Sequence, residues 1–322
     1  MKAGFRARDV KFDDIRLFLC DPRAQVRSSL RMALNEAGLK NANIDEGADM
    51  DAVANAVSDP NGPDIIICDV TDCSDQACQL FASIRHNEHG TNPFICIIAV
   101  AWSPRQPLVA KVVDSGADIL VAAPISPGLI LNRISSLVHS RKPFVVTTDY
   151  VGPDRRSMDE ASASPRPGSE IELVDVPNSL REKALGQFDA ARIRREIDAT
   201  RDILNIQKIE RQAFQVGYLV TLISTEFEKS PRDVTPRHLV DLDKVSNDLK
   251  LRAFSAGARE LEELCVPLRQ VIRTMIDTRG KYRQRDVDLL NQLALAVKAA
   301  VKPDRVSADL AHDISRTVTG AA

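Results

Sequence analysis

Two aspartates and a proline, each placed directly after or at the close of an apolar run, have the types and spacing to do chemistry. Asp21 follows IRLFLC (15–20), Asp69 closes DIIICD (64–69), and Pro124 follows ILVAA (119–123). In a parallel sheet of strand order 2-1-3-4-5 these ends lie side by side. Two acids at adjacent strand ends make a hard-oxygen site of the kind Mg2+ accepts while keeping several waters. Mg2+ is therefore the one cofactor these residues admit. No nucleophile elbow, P-loop, dinucleotide glycine fingerprint or HExxH string occurs, so no residue is assigned as catalytic and the chain is not expected to be an enzyme.

The elements that must position these groups read from periodicity. The runs 15–20, 64–69, 94–100 and 119–123 are near-continuously apolar and β-branched, as strands covered on both faces of a parallel sheet are, and NANIDEG (41–47) is a weaker fifth. Between them, 24–38, 48–58, 75–88 and 105–116 have helical spacing, with Gly38 and Gly116 where left-handed C-terminal caps belong. A last helix fits 127–140, with Pro127 in its first turn. Strands alternating with helices give a doubly wound, flavodoxin-like α/β domain over 14–140, whose ligands gather at the carboxyl ends of the strands.

A short tail (1–13) precedes this domain. Residues 141–178 read as an edge strand followed by a flexible linker, since 152–170 hold almost no bulky apolar residue. From 179 to 322 the pattern is helical. Ile206, Ile209, Ala213, Val216, Val220, Ile223 and Phe227 keep a 3-4-3-4-3-4 spacing, the mark of a helix packing a stripe against other helices. This stripe is the expected site of self-association, in a bundle or coiled coil. Pro231 and Pro236 end that helix, Thr235 is a candidate cap for the next, and further helices fit 236–252, 256–278 and 284–300, with Gly280 a break and the last 20 residues loosely held.

Composition narrows the function classes. Of 322 residues, 44% are hydrophobic and 27% charged, as in a globular protein with a real core. Lys and Arg number 43 against 45 Asp and Glu, a formal charge of −2, which gives nucleic-acid binding no electrostatic support. The longest apolar run, 94–102, is nine residues, short of the 18 or more a membrane helix needs. The N-terminal stretch MKAGFRARDVKFDD has no leader-like apolar segment, so a cytoplasmic location is expected. The six cysteines sit mostly in apolar segments without metal-site spacing, as reduced, partly buried thiols do.

Taken in order and spacing, LFLCDP, PDIIICDV and GADILVAAPIS make residues 14–140 resemble the receiver domain of bacterial two-component response regulators. In that family an acidic pair after the first strand and an aspartate after the third bind Mg2+. The third-strand aspartate takes a phosphoryl group from a histidine kinase, and a Thr or Ser and a Lys then hold it. The resemblance makes Asp69 the phosphoacceptor and Asp21 the first acid of the pair. Pro22 falls on the second acidic position, Ala101 (or Ala99) on the Thr/Ser position, Ala123 on the Lys position, and Leu120 on the switch aromatic. Of the motif only Asp69, Asp21 and Pro124 remain, with Trp102 beside the expected pocket.

A phosphoaspartate biases a fold only where donors await its oxygens. Hydrogen bonds to charged groups contribute roughly 1.5–3 kcal/mol each, while moving an equilibrium from 1:99 to 99:1 takes about 5.5 kcal/mol. Losing the hydroxyl and the ammonium therefore removes most of the drive. The expectation is a pseudo-receiver acting through protein partners, a histidine kinase among the candidates, and forming homo-oligomers through its helical output domain. The alternatives are a phosphorylatable receiver or phosphorelay intermediate using Asp69 and, third, a DNA-binding regulator.

Overall fold

The computed structural model describes residues 11–102, 104–156, 172–230, 234–278 and 281–301. The expectations for most of the N-terminal tail, for the middle of the linker, for Pro231 and Gly280, and for the last 20 residues fall outside the described residues. The chain divides into two compact units, Met1–Arg201 and Asp202–Ala322.

In the first unit, β1 (Leu17–Cys20), β2 (Ile44–Gly47), β3 (Ile65–Asp69), β4 (Cys96–Trp102) and β5 (Ile119–Ala123) form one parallel sheet in the order β2-β1-β3-β4-β5. Helices α1 (Ala24–Glu36), α2 (Met50–Ser58), α3 (Ser74–Arg85), α4 (Gln106–Asp114) and α5 (Pro127–Ser140) alternate with the strands, and a 3-10 turn, Asn41–Asn43, leads into β2. The apolar runs are continuous because both faces are covered. Leu17, Leu19, Ile65, Ile67 and Ile98 pack with Leu34 of α1 and Ile134 of α5. Their neighbours Phe18, Cys20, Ile66, Cys68 and Ile97 pack with Val53, Phe81 and Val112 of α2, α3 and α4. Strand β4 runs two residues further than its periodicity implies, through Ala101 and Trp102.

The edge strand expected after α5 is corrected. Strand β6 (Phe144–Val146) pairs antiparallel with β7 (Val151–Pro153) in a separate two-stranded sheet. Val174 returns to exchange backbone bonds of 2.8 and 2.9 Å with Phe144. A buried charge cluster holds this sheet to the domain. Asp118 accepts from Arg85 Nη2 (2.8 Å), Arg141 Nε (2.9 Å) and the Ile97 N–H (2.8 Å). The two guanidinium groups lie 5.1 and 5.2 Å from the Phe144 ring centroid. Burial lowers Arg85 to about 10. Burial also pushes the Asp118 carboxyl upward, but Arg141 and Arg85 more than offset it and hold the group below its ordinary value. Gly116, at φ +85°, is required here: a Cβ would meet Arg85 Cγ at 2.7 Å and the Val151 carbonyl at 2.8 Å.

The boundary expected at 179 also moves. Helix α6 (Ser179–Ala184) buries Leu180 and Ala184 in the core that holds Leu17, Ile65 and Ile134. Its Lys183 Nζ lies 2.8 Å from Asp64 Oδ2, and the Lys11 N–H donates to the Ala184 carbonyl at 3.0 Å. The sequence gives no warning of this, because SLREKA is too short to show a periodicity.

Helix α7 (Ala190–Lys229) spans 40 residues and crosses from the first unit into the second. The second unit adds α8 (Pro236–Ser255), α9 (Arg259–Thr278) and α10 (Gln284–Val301). Ile209, Ala213, Val216, Val220, Ile223 and Phe227 are buried in one core with residues such as Leu242, Leu268 and Leu293. The expected self-association seam is therefore the interior of a bundle, and Ile206 alone of the stripe is exposed, at 56%. The two readings share one spacing, and only the position of α8–α10 separates them. Thr235 stands at the α8 N-cap position without capping it, and its hydroxyl donates to Glu226 Oε1 at 3.0 Å instead.

Candidate functional site

The in-register pairing of Cys20 with Cys68 puts Asp21 and Asp69 next to each other, one residue further along adjacent strands. Both are buried. What joins them is a residue that the motif comparison passes over, Arg23. Its backbone N–H and Nε each donate to Asp21 Oδ1 at 2.8 Å, and its Nη2 donates to Asp21 Oδ2 at 2.7 Å. The same Nη2 reaches Asp69 Oδ2 at 2.5 Å. The Thr71 N–H donates to Asp69 Oδ1 at 2.8 Å. All four carboxylate oxygens thus have a donor.

Hydrogen bonding to Asp21 and the charges of Asp21 and Asp69 raise the Arg23 guanidinium above its ordinary value, so a permanent cation sits between the acids. This corrects the expectation of a pocket without a cation. The cation comes from the loop after β1, not from the end of β5, and it is bonded to the acids themselves. One signal could have found it: an arginine directly after the position where the second acid is missing.

The other assigned positions fall as follows. Pro22 is exposed and offers no ligand. Ala101 is fully buried, paired with Ala122 of β5. Ala123 is half-buried and precedes a cis peptide bond to Pro124. Leu120 is half-buried against the α3–α4 core. Trp102 is 44% exposed, with its ring centroid 5.3 Å from the Arg23 guanidinium carbon. The Trp102 backbone N–H donates to the Thr71 hydroxyl at 3.1 Å. Among the described residues, neither a lysine nor a hydroxyl hydrogen-bonds to the Asp69 carboxylate; Lys111, on α4, pairs with Asp75.

The fit to Mg2+ is poor. Among the described residues no three His, Cys, Asp or Glu side chains converge as a metal-holding group. A divalent ion would have to displace Arg23 from both acids. The hollow beside them, lined also by Arg27 and Ile125, is about 20 Å3, enough for about one water. The neighbouring Cys73 thiol is a poor nucleophile. Cys73 Sγ lies 3.5 Å from the Asp69 carbonyl oxygen, and burial first, then the nearby Cys20 and Asp69, raise it to about 11.

No protein-family model matches the chain, and no curated protein sequence matches it. Among solved structures the chain is similar to DrrB of Thermotoga maritima, a response regulator and OmpR/PhoB homologue, with 16% identity and a TM-score of 0.33. The match covers 40% of this chain and 55% of that one, so the chain spans about half the length of that protein. Strand order and the alternation with helices fix the architecture. The first unit is a doubly wound, flavodoxin-like α/β domain. No helix among the described residues is long and apolar enough to cross a membrane.

Proposed function

We propose that this chain is a response-regulator-like signalling protein of the cytoplasm whose receiver is held in one state by Arg23 and acts through protein–protein contact, not through phosphotransfer. The observation that carries this reading is the guanidinium bridging Asp21 and Asp69. It supplies the positive charge that a metal would supply, and with the Thr71 N–H it occupies both oxygens of the Asp69 carboxylate. With 41% of its side chain exposed, Arg23 is partly screened by solvent, so its strength lies in the number of its bonds more than in any one of them. The surface proposed for partners is that of α4, β5 and α5, where Ala122, Pro124, Ser126, Pro127 and Gly128 are exposed.

A second reading has one observation in its favour. A guanidinium is a good phosphate ligand, and Arg23 already touches Asp69, so it could hold a phosphoryl group where the Lys is missing. Intact mass spectrometry after incubation with acetyl phosphate and Mg2+ separates the two. The first reading expects no adduct on the wild-type chain and an adduct on Arg23→Ala that disappears in Arg23→Ala/Asp69→Ala. A wild-type adduct lost in Asp69→Ala overturns it in favour of phosphotransfer.

A further inference from the structure

At the end of the sheet opposite Asp69 lies a cavity of about 390 Å3, within the range of small-molecule sites. The loop before β3, the loop before β4, α6 and the first turns of α7 line it, all within the first unit. Its charges do not cancel. Asp64, on the floor, is 4% exposed and takes Lys183 Nζ at 2.8 Å. Asp198, at the rim, pairs with Arg201 at 3.4 Å. Two guanidinium groups on the lining then remain without a carboxylate. The Arg16 guanidinium donates to the carbonyl of Asn61, while its backbone N–H donates to Asp64 Oδ2 at 2.8 Å. Neither the Arg16 guanidinium nor Arg194 has an ion pair among the described residues.

An aromatic ring completes the lining. Phe188 is 40% exposed, with Lys183 Nζ 4.8 Å from its centroid. Side chains of Asn61 and Thr91 add polar contacts. Two uncompensated arginines call for a dianionic group, and arginine matches phosphate oxygens geometrically. An exposed ring in the same space calls for a planar apolar partner. We propose that this cavity binds a small phosphomonoester carrying a planar ring, of the size of a nucleoside monophosphate. The ligand would bridge the receiver loops and the start of α7, giving the domain an input at the end remote from Asp69. This inference does not depend on how Arg23 is read.

The test is isothermal titration calorimetry on the full chain with AMP, GMP, CMP and inorganic phosphate, and with adenosine as the uncharged control. At least one nucleotide is expected to bind more tightly than phosphate, with no binding of adenosine. Arg194→Ala, at an exposed side chain whose loss leaves no partner unpaired, and Arg16→Ala should each weaken that nucleotide by about tenfold or more. Arg23→Ala should leave it unchanged, which separates this site from the one at Asp69. The proposal is overturned if no nucleotide binds at millimolar concentration, if phosphate binds as well as the nucleotides, or if Arg194→Ala and Arg16→Ala bind like wild type.

Discussion

Arg23 Nη2 lies 2.5 Å from Asp69 Oδ2, although 46 positions separate the two residues in the chain. The contact exists because parallel pairing of β1 with β3 brings the two strand ends together and the turn after Asp21 folds the arginine back across both acids. It turns a pair of carboxylates into an internally neutralised cluster.

Trp102 reports on that cluster. It is the only tryptophan in the sequence, and it lies 5.3 Å from the Arg23 guanidinium carbon. Arg23→Ala is expected to shift its emission. Mg2+ titration should then change the fluorescence of the variant and not that of the wild type, because only the variant exposes two unpaired acids to the ion. Equal Mg2+ responses in both proteins would contradict the bridging role.

Asp118 should be the most sensitive polar position of the first unit. Asp118→Asn leaves two buried arginines without a counter-charge, and breaking a buried pair in this way costs about 3–5 kcal/mol. The pH dependence has a definite sign. Because the folded-state carboxyl is held below its ordinary value, the native chain binds fewer protons than the unfolded chain between the two pKa values, and stability rises with pH there. The contribution is complete above about pH 4 and is lost as pH falls through the folded value. Thermal unfolding of wild type and variant from neutral to strongly acid pH should show their difference shrinking only below that point.

The domain boundary is testable by truncation. A fragment ending at residue 140 lacks Phe144 and Leu180, both fully buried in the first unit, and should aggregate or unfold at lower denaturant than a fragment ending at 201. In the longer fragment Leu180→Ala should cost about 2–5 kcal/mol, read as a lower midpoint in urea. Equal midpoints for the two fragments would return α6 to the helical domain.

The stripe on α7 separates core from seam. Ile223→Ala should destabilise the second unit by about 2–5 kcal/mol, since the side chain is fully buried among α8–α10. Ile206→Ser, at an exposed position, should change stability by less than about 0.5 kcal/mol. Light scattering on both variants checks the assignment: dissociation of a dimer by Ile223→Ala without loss of helicity would restore the seam.

Much of this was legible in the chain. Asp21, Asp69 and Pro124 could be placed at strand ends because a strand buried on both faces leaves an unbroken apolar run, and the first polar residue after it marks the carboxyl end. Helix limits followed where caps are chemical, as at Gly38 and Pro127. Arg23 carried one local signal, its place directly after the missing second acid, but its role as a bridge was not legible, because it depends on an acid 46 positions away. Phe144 was read within an edge strand and Leu180 within the helical region for a similar reason: each sits in an element of three to six residues, too short to say which core receives it.

The sequence by itself determined the five strands and five helices of the parallel-sheet domain and the acids they carry, because burial periodicity and backbone chemistry act over a few neighbouring residues. Only the tertiary structure decided that an arginine closes the carboxylate pair, that the 141–186 segment belongs to the first unit, and that the long helix buries its stripe within its own chain. Each of these is a pairing between distant segments, set by which surfaces meet and not by what any one segment prefers.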